Sequence, residues 1–239
     1  AMQIAKFKGA KLVIGSSTDA MRRGRLKEFG ADLAVDSSDP GWVDQVLKAM
    51  NEIFRASEET VVSTHSVADQ ARTLDRIARR LGEPSAVHIG PGADRAQVTL
   101  AKYGAHKVYV VDDADAAGFL VAPQAEILAA LVEKVAPAAV IIPSNASGKE
   151  IAARLAIKTG SGLITDAVDV RAGEGGIETT QSVLAGSYTV TAKVTTGTPI
   201  IAVKPNSVPL EASPAPGAVE AFAFTVSDAA KAARVTDSQ

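Results

Sequence analysis

The chain has 239 residues, of which 46% are apolar and 22% are charged, and its formal net charge is −2. This composition is typical of a globular protein with one large or two small domains, and it excludes a largely disordered chain. The near balance of 25 basic and 27 acidic residues argues against a general binder of nucleic acid or of anionic membranes. The sequence contains no cysteine, which excludes disulfides, thiol nucleophiles and Cys-ligated metal centres.

Metal sites and membrane spans are not predicted. The three histidines are far apart in sequence, so we expect no metal centre. No apolar run reaches about 18 residues, the length that a membrane-spanning helix needs. The N-terminal residues lack the apolar core and the cleavage pattern of a secretory signal peptide. We therefore expect a soluble, cytoplasmic protein that binds neither nucleic acid nor membrane.

The first stretch of the chain alternates short helices with short strands. Turn residues and N-cap candidates separate the apolar segments, as they do at element boundaries. The predicted elements are a helix over 2–9, a strand over 11–15, a helix that ends at 28 or 29, a strand over 33–35 and a helix over 41–50.

The second stretch alternates Val- and Ile-rich runs with amphipathic segments. The predicted strands cover 60–62, 85–89, 107–111 and 139–143, and the predicted helices cover 67–81, 93–103, 123–135 and 147–159. Short apolar runs that alternate with helices are typical of a parallel sheet with helices on both faces.

After Gly162 the helical periodicity disappears, and Thr alternates with Val. This pattern predicts added strands over 167–170, 177–183, 188–194, 200–203 and 219–226, followed by a polar tail or linker over 228–239. The predicted fold class is therefore α/β, a three-layer sandwich with a mostly parallel central sheet and added antiparallel strands toward the C-terminus.

The helix predicted to begin at Ser147 carries the strongest local motif. Ser147 and Glu150 have the spacing of a capping box, which satisfies the first amide groups of a helix. A phosphate-binding P-loop is excluded, because Pro143 stands where that motif needs its first Gly and Glu150 where it needs Ser or Thr. A helix cap alone is the favoured interpretation. The alternative is that Ser147, Gly148 and Lys149 also contact an anion or a partner protein.

No catalytic residue is predicted. No Ser, His and Asp have a spacing that indicates nucleophilic catalysis. The acidic run of Asp112, Asp113 and Asp115 follows a predicted strand, and we interpret it as a solvated loop rather than as a metal site.

Residues from about 60 to 235 resemble the N-terminal domain of the electron transfer flavoprotein alpha subunit. The stretches that carry this resemblance follow one another in the family's order. They are 83–90, 100–110, 137–143, 148–156, 162–166, 185–186 and 199–205.

This resemblance implies a partner-binding scaffold domain that takes part in electron transfer by pairing with a beta subunit. In that family FAD is held mainly by a C-terminal domain, whose Gly- and Arg-rich opening segment is not found in this sequence. We therefore expect no cofactor on this chain alone, and no enzyme activity.

Residues 1 to about 51 resemble a different family, the zinc-independent medium-chain quinone oxidoreductases. The resemblance to their nucleotide domain implies that Thr18 and Arg22 are remnants of a site for the 2′-phosphate of NADPH. The glycine loop that cradles the pyrophosphate in those enzymes would precede residue 1.

The sequence thus predicts a composite chain. Its expected parts are a Rossmann-like α/β fragment over 1–55, an alpha-subunit-like domain over 56–227 and a tail over 228–239. Two alternative functions remain open, an NADPH-dependent quinone oxidoreductase-like fragment and a designed chimera without a native function.

Overall fold

The computed structural model describes residues 13–46, 60–63, 67–113, 116 and 118–236. The chain divides into two compact units, 1–57 and 58–239. The helix predicted over 2–9 lies outside the described residues, and the helix predicted over 41–50 is described only as far as residue 46.

The first unit contains a small parallel sheet. Strand β1 (Ile14–Ser16) pairs with β2 (Leu33–Val35), and helix α1 (Ala20–Glu28) connects them. Asp19 is the N-cap of this helix, and its side chain accepts a hydrogen bond from the backbone N–H of Arg22 at 2.9 Å. This strand–helix–strand order agrees with the sequence pattern.

The second unit is built on one twisted sheet. Its described strands are β3 (Thr60–Ser63), β4 (Pro84–Ile89), β5 (Lys107–Val111), β6 (Ala139–Pro143), β7 (Leu163–Gly173), β8 (Gly176–Val183), β9 (Tyr188–Lys193), β10 (Ile200–Val203) and β11 (Ala218–Ala221). Their order across the sheet is β11-β5-β4-β3-β6-β10-β7-β8-β9. All neighbours are parallel except the pairs β7–β8 and β8–β9.

Helices cover both faces of this sheet. They are α2 (Val67–Arg76), α3 (Ala93–Lys102), α4 (Ala122–Val135) and α5 (Ala146–Thr159), with 3-10 turns at Ala78–Arg80 and Asp228–Lys231. Residues of α3 and of the first 3-10 turn form one core with Val62, Ile141 and Ile201. Residues of α4 and α5 form the other core with Val61 and Ile142. The predicted three-layer α/β fold is confirmed.

Two of the late strands run differently from the sequence expectation. Strand β10, predicted among the antiparallel strands, lies in parallel between β6 and β7. All four of its residues are buried, as in a parallel strand that is covered on both faces. Strand β11 is parallel to β5 and ends at Ala221 instead of continuing to residue 226. The antiparallel part of the sheet therefore consists of β7, β8 and β9.

The segment after β11 packs onto the second unit. Ala230 is buried, and the N–H of Leu120 donates to the carbonyl of Ala233. Glu126 of α4 accepts hydrogen bonds from the N–H and the hydroxyl of Ser227, and it pairs with Lys158 of α5 at 3.4 Å. Residues 226–235, which the sequence predicts mostly as a polar tail, are thus held by contacts of both polar and apolar groups.

Helix α5 begins one residue earlier than the sequence predicts. Asn145 is its N-cap, and its side-chain oxygen accepts the N–H of Gly148 at 2.8 Å. The predicted capping box is wrong: Ser147 lies inside the helix, and Glu150 pairs with Arg154 at 2.8 Å. Asn caps helices as well as Ser does, and here it outcompetes the later candidate.

Gly148 allows α5 to start directly against the end of β6. A Cβ atom at this position would overlap the carbonyl oxygen of Pro143. The first turn of α5 can therefore approach β6 this closely only without a side chain.

Among the described residues, no helix has the length and apolar character required to cross a membrane.

We expect Gly148→Ala to lower the free energy of unfolding by about 1–3 kcal/mol, because the new methyl group forces the helix start away from β6. Urea denaturation measures this change. Gly118→Ala is the matched control, since a Cβ atom at Gly118 meets nothing within 4 Å. An unchanged midpoint for Gly148→Ala would contradict the close approach.

We expect Glu126→Gln to lower the free energy of unfolding at pH 7 by about 1 kcal/mol. Burial opposes ionisation of Glu126, but hydrogen bonds from Ser227 and Lys158 outweigh it and hold its pKa below the ordinary value of 4.5. This stabilisation is complete above the ordinary pKa and is lost as the pH falls through the lowered pKa of the folded state.

The difference between wild type and Glu126→Gln should therefore shrink from pH 7 to pH 3, as thermal unfolding can measure. Glu133→Gln, an exposed site on the same helix, is the control. A difference that stays constant with pH would show that the charge of Glu126 contributes nothing.

Candidate functional site

Strand β7 changes neighbours in the middle of its length. Its first part pairs in parallel with β10, where the register passes from Ile164 opposite Ile201 to Ala167 opposite Val203. The β7 strand thus carries an extra residue there, which is a β-bulge. A second irregularity, between Ala167 and Asp169, interrupts the pairing with β8. The strand therefore bends where the parallel sheet becomes antiparallel.

Asp166 lies in the first bulge with a left-handed backbone, at φ 56°. This conformation costs an ordinary residue roughly 1–2 kcal/mol, and Asp is among the residues that adopt it most readily. The carboxylate of Asp166 accepts the hydroxyl of Ser144 at 3.0 Å and the ammonium of Lys149 at 2.9 Å. The N–H of Asp166 in turn donates to the Ser144 hydroxyl oxygen at 3.1 Å.

We call Ser144, Lys149 and Asp166 the Asp166 cluster. It connects the residue after β6, the first turn of α5 and the bulge of β7. The hydrogen bond from Lys149 lowers the pKa of Asp166, and the Ser144 hydroxyl and the charge of Lys204 act in the same direction against the cost of burial. The cluster thus joins three elements through the contacts of the Asp166 carboxylate.

The structure brings only one of the predicted contacts Ser147, Gly148 and Lys149 into this cluster. Lys149 pairs with Asp166, Gly148 is buried, and Ser147 is half-buried in the first turn of α5. An external anion would have to compete with the carboxylate of Asp166 for Lys149. A role for the three residues as anion or partner contacts stays a prediction.

In the first unit, Thr18 and Arg22 lie beside the N-terminus of α1, and both side chains are exposed. The carboxylate of Asp19 caps this helix. A phosphate at this end of the helix would meet that negative charge. A role for Thr18 and Arg22 as a remnant 2′-phosphate site stays a prediction.

The β8–β9 hairpin exposes an apolar surface. Tyr188 and Val190 of β9 point to the same face, because side chains alternate along a strand. Tyr188 is 63% exposed and Leu184, in the turn between the strands, is 73% exposed. We call Leu184, Tyr188 and Val190 the hairpin patch. Exposed apolar side chains that form a contiguous surface can mark a protein-binding site.

Two polar side chains of β8 make hydrogen bonds to the neighbouring strands. Thr179 is buried and donates its hydroxyl to the carbonyl of Ala192 at 3.0 Å. The side chain of Gln181 donates to the carbonyl of Thr165 at 2.7 Å. These bonds attach β8 both to β9 and to the residue that precedes Asp166.

A cleft of about 590 Å³ lies at the ends of β5 and β11. It is lined by residues 110–113 and 221–225, among which Phe222 and Phe224 stack at 6.4 Å between ring centroids. Asp112 and Asp113 belong to this lining, and the carboxylate of Asp113 accepts the N–H of Ala116 at 3.4 Å. Negative charges in the lining of a cleft disfavour the pyrophosphate of a dinucleotide such as FAD.

Within the described ranges, no group of three or more His, Asp or Glu side chains is placed to hold a metal ion.

Sequence reasoning did not identify Asp166 or Ser144 as parts of a site. Hydrophobic periodicity and local motifs relate residues that are close in sequence, whereas these two residues are 22 positions apart and meet only in the folded chain. An Asp that interrupts the apolar start of β7 was the available signal.

Comparison with known proteins places this fold in a family. A family model described as "Electron transfer flavoprotein domain" matches residues 63–229. The relative "Electron transfer flavoprotein subunit alpha" of Mycobacterium tuberculosis strain H37Rv is 45% identical over 156 residues, which cover 64% of this chain and 48% of the relative. The protein of the same name from Bacillus subtilis strain 168 is 30% identical over 105 residues, which cover 44% and 32%.

The chain spans about half the length of the mycobacterial relatives that it matches. The protein from Mycobacterium leprae strain TN is 45% identical over 151 residues, or 62% of this chain and 46% of the relative. These matches confirm the expected alpha-type domain, and the alternative function as a quinone oxidoreductase-like fragment is not favoured. The chain belongs to the electron transfer flavoprotein domain family.

Proposed function

We propose that this chain is the partner-binding scaffold domain of an electron transfer flavoprotein alpha subunit, and that it docks a beta subunit through the hairpin patch. Its role in electron transfer is to hold the assembly together, and it catalyses no reaction by itself. The relatives are named as subunits, so their own proteins assemble with other chains.

The exposed hairpin patch is the observation that carries this proposal. The β7–β8–β9 extension has one face that continues into the packed core, where Ala167 and Val170 are fully buried. Further out along the extension, Tyr188 and Leu184 are mostly exposed to water. Removing such side chains from water stabilises a complex, and Tyr is enriched among the residues that dominate protein interfaces.

The opposite face of the extension is polar. This difference between the two faces indicates which of them docks a partner and which faces solvent. Arg171 pairs with Glu178 at 3.0 Å across β7 and β8. Thr180, Thr189 and Thr191 lie on this face as well, by the alternation of side chains along paired strands. A protein partner would therefore bind the apolar face.

We expect Tyr188→Thr to weaken binding to a purified beta subunit about tenfold, because a large apolar contact is lost while the strand keeps a β-branched residue. The beta subunit of the Mycobacterium tuberculosis electron transfer flavoprotein is a suitable partner, and calorimetric titration measures the affinity. Ile157→Ser, an 84% exposed apolar residue of α5, is the control and should leave the affinity unchanged. Equal losses at both sites, or none at Tyr188, would argue against the hairpin patch.

We propose that this chain alone retains no FAD. The carboxylates of Asp112 and Asp113 at the described cleft, and that of Asp166 beside the N-terminus of α5, disfavour a pyrophosphate at both places. After incubation with excess FAD and desalting, the visible absorption spectrum should show no flavin. Flavin retained at a stoichiometric level would mean that the chain builds a cofactor site of its own.

We further propose, from the sequence resemblance, that residues 1 to about 51 come from a nucleotide domain of the quinone oxidoreductase type, joined by fusion or by design. The family match begins at residue 63, beyond the first unit. We also propose, from the sequence alone, that Thr18 and Arg22 are remnants of a 2′-phosphate site. The division into domains at residues 55 and 227 and a cytoplasmic location are proposals with the same basis.

A further inference from the structure

We propose that Asp166 is a positioning residue for the hairpin patch: it fixes the bend through which β7 leaves the parallel sheet. By fixing this bend, it sets the direction in which β8 and β9 present Leu184, Tyr188 and Val190 to a partner. This inference rests on the proposed function, since it assumes that the hairpin patch is the docking surface.

The position of Asp166 at the change of pairing is the first support. Ala167, the next residue, is paired with Val203 of β10 on one side and with Gln181 of β8 on the other. A register irregularity precedes Ala167 on the β10 side, and another follows it on the β8 side. Bulges bend a strand and increase its local twist. The bend of β7 at Asp166 therefore determines the direction of the antiparallel extension.

The contacts of Asp166 attach the bend of β7 to the rest of the sheet. Its carboxylate bonds Ser144 after β6 and Lys149 in α5. Nearby, the N–H of Ser144 donates to the carbonyl of Val203 at 2.6 Å, and the N–H of Lys204 donates to the carbonyl of Ala167 at 2.7 Å. The ends of β6 and β10 and the bend of β7 are thus tied to one another.

A continuous set of bonds leads from this bend to the hairpin patch. Thr165, which precedes Asp166, accepts the side-chain amide of Gln181 at 2.7 Å. Gln181 is paired with Val190, and the next pair outward on the same face is Val183 with Tyr188. A change in the backbone at Asp166 would therefore be carried through Gln181 to the patch residues.

Three substitutions separate the features of Asp166. Asp166→Gly keeps the left-handed backbone and removes the carboxylate, Asp166→Asn keeps a hydrogen-bonding side chain and removes the charge, and Lys149→Met removes the cation. Arg154→Met is the matched control, because it breaks an ion pair on the same helix that does not involve β7.

The first readout is hydrogen exchange of the backbone amides, which needs no partner. We expect Asp166→Gly to speed exchange over 176–193 and to leave β3, β4 and β6 unchanged, with a smaller effect for Asp166→Asn and Lys149→Met and none for Arg154→Met. Uniformly faster exchange across the second unit would mean that Asp166 only stabilises the fold, and unchanged exchange would mean that it does not hold the hairpin. Either result would overturn the proposal.

The second readout is affinity for the beta subunit. We expect Asp166→Gly to weaken binding about tenfold, within the range that substitutions along a coupling network produce. If Asp166 acts through the patch, the loss caused by Tyr188→Thr should shrink to less than about threefold in the Asp166→Gly background. Fully additive losses would contradict the proposal.

The two readouts distinguish failure of this inference from failure of the proposed function. If the wild-type chain does not bind the beta subunit, the docking function fails, while the exchange pattern still decides whether Asp166 holds the hairpin. If the wild type binds and Asp166→Gly binds equally well, the docking function stands and the positioning role of Asp166 is wrong.

Discussion

The burial of β10 between β6 and β7 is the constraint on which the second unit depends. Its four residues are buried and its backbone pairs on both sides. Yet β10 follows β7, β8 and β9 in the chain. The chain must therefore extend the sheet outward from β7 through β8 and β9, and then return to fill the space between β6 and β7. The hairpin lies at the end of the sheet because the place next to β6 is taken by the later strand β10.

This arrangement explains why polar contacts gather at the ends of β6 and β10. A parallel pair that is completed by a distant segment needs contacts that define its register. Here the Asp166 cluster and the N–H of Lys204 provide them, next to a helix start that Gly148 allows to approach closely. Packing specifies the position of β10 across the sheet. The Asp166 cluster and the N–H of Lys204 specify its position along the strand direction.

The apolar patterns allowed most of the fold to be predicted. The strands over 139–143 and 200–203 have the predicted bounds, because short buried runs of Val and Ile are bounded by Pro, Gly or polar residues. The direction of β10 could not be predicted, since an apolar run does not show which neighbours it has. The start of α5 was misplaced because Asn145 and Ser147 are both good caps, and the choice between them depends on the close packing of Gly148 against Pro143.

The candidate site was less predictable than the fold. The local motif predicts Lys149 as a contact residue, but its partner Asp166 lies in a bulge that forms only when β7 is paired with β10. The hairpin strands were predicted, whereas the exposure of Tyr188 and Leu184 depends on how far the sheet extends beyond its helices. Such properties arise from tertiary structure and leave little trace in a short sequence window.

The outer strand of the hairpin carries a further consequence for the protein when it is alone. In the described part of the chain, β9 is the last strand of its sheet, and one side of its backbone has no neighbouring strand. Its sequence from Tyr188 to Lys193 is rich in residues that favour strands and carries a single charge, at its end. Edge strands with few charges tend to pair with copies of themselves. The open edge of β9 is therefore a place where we expect copies of this domain to associate when it is expressed alone.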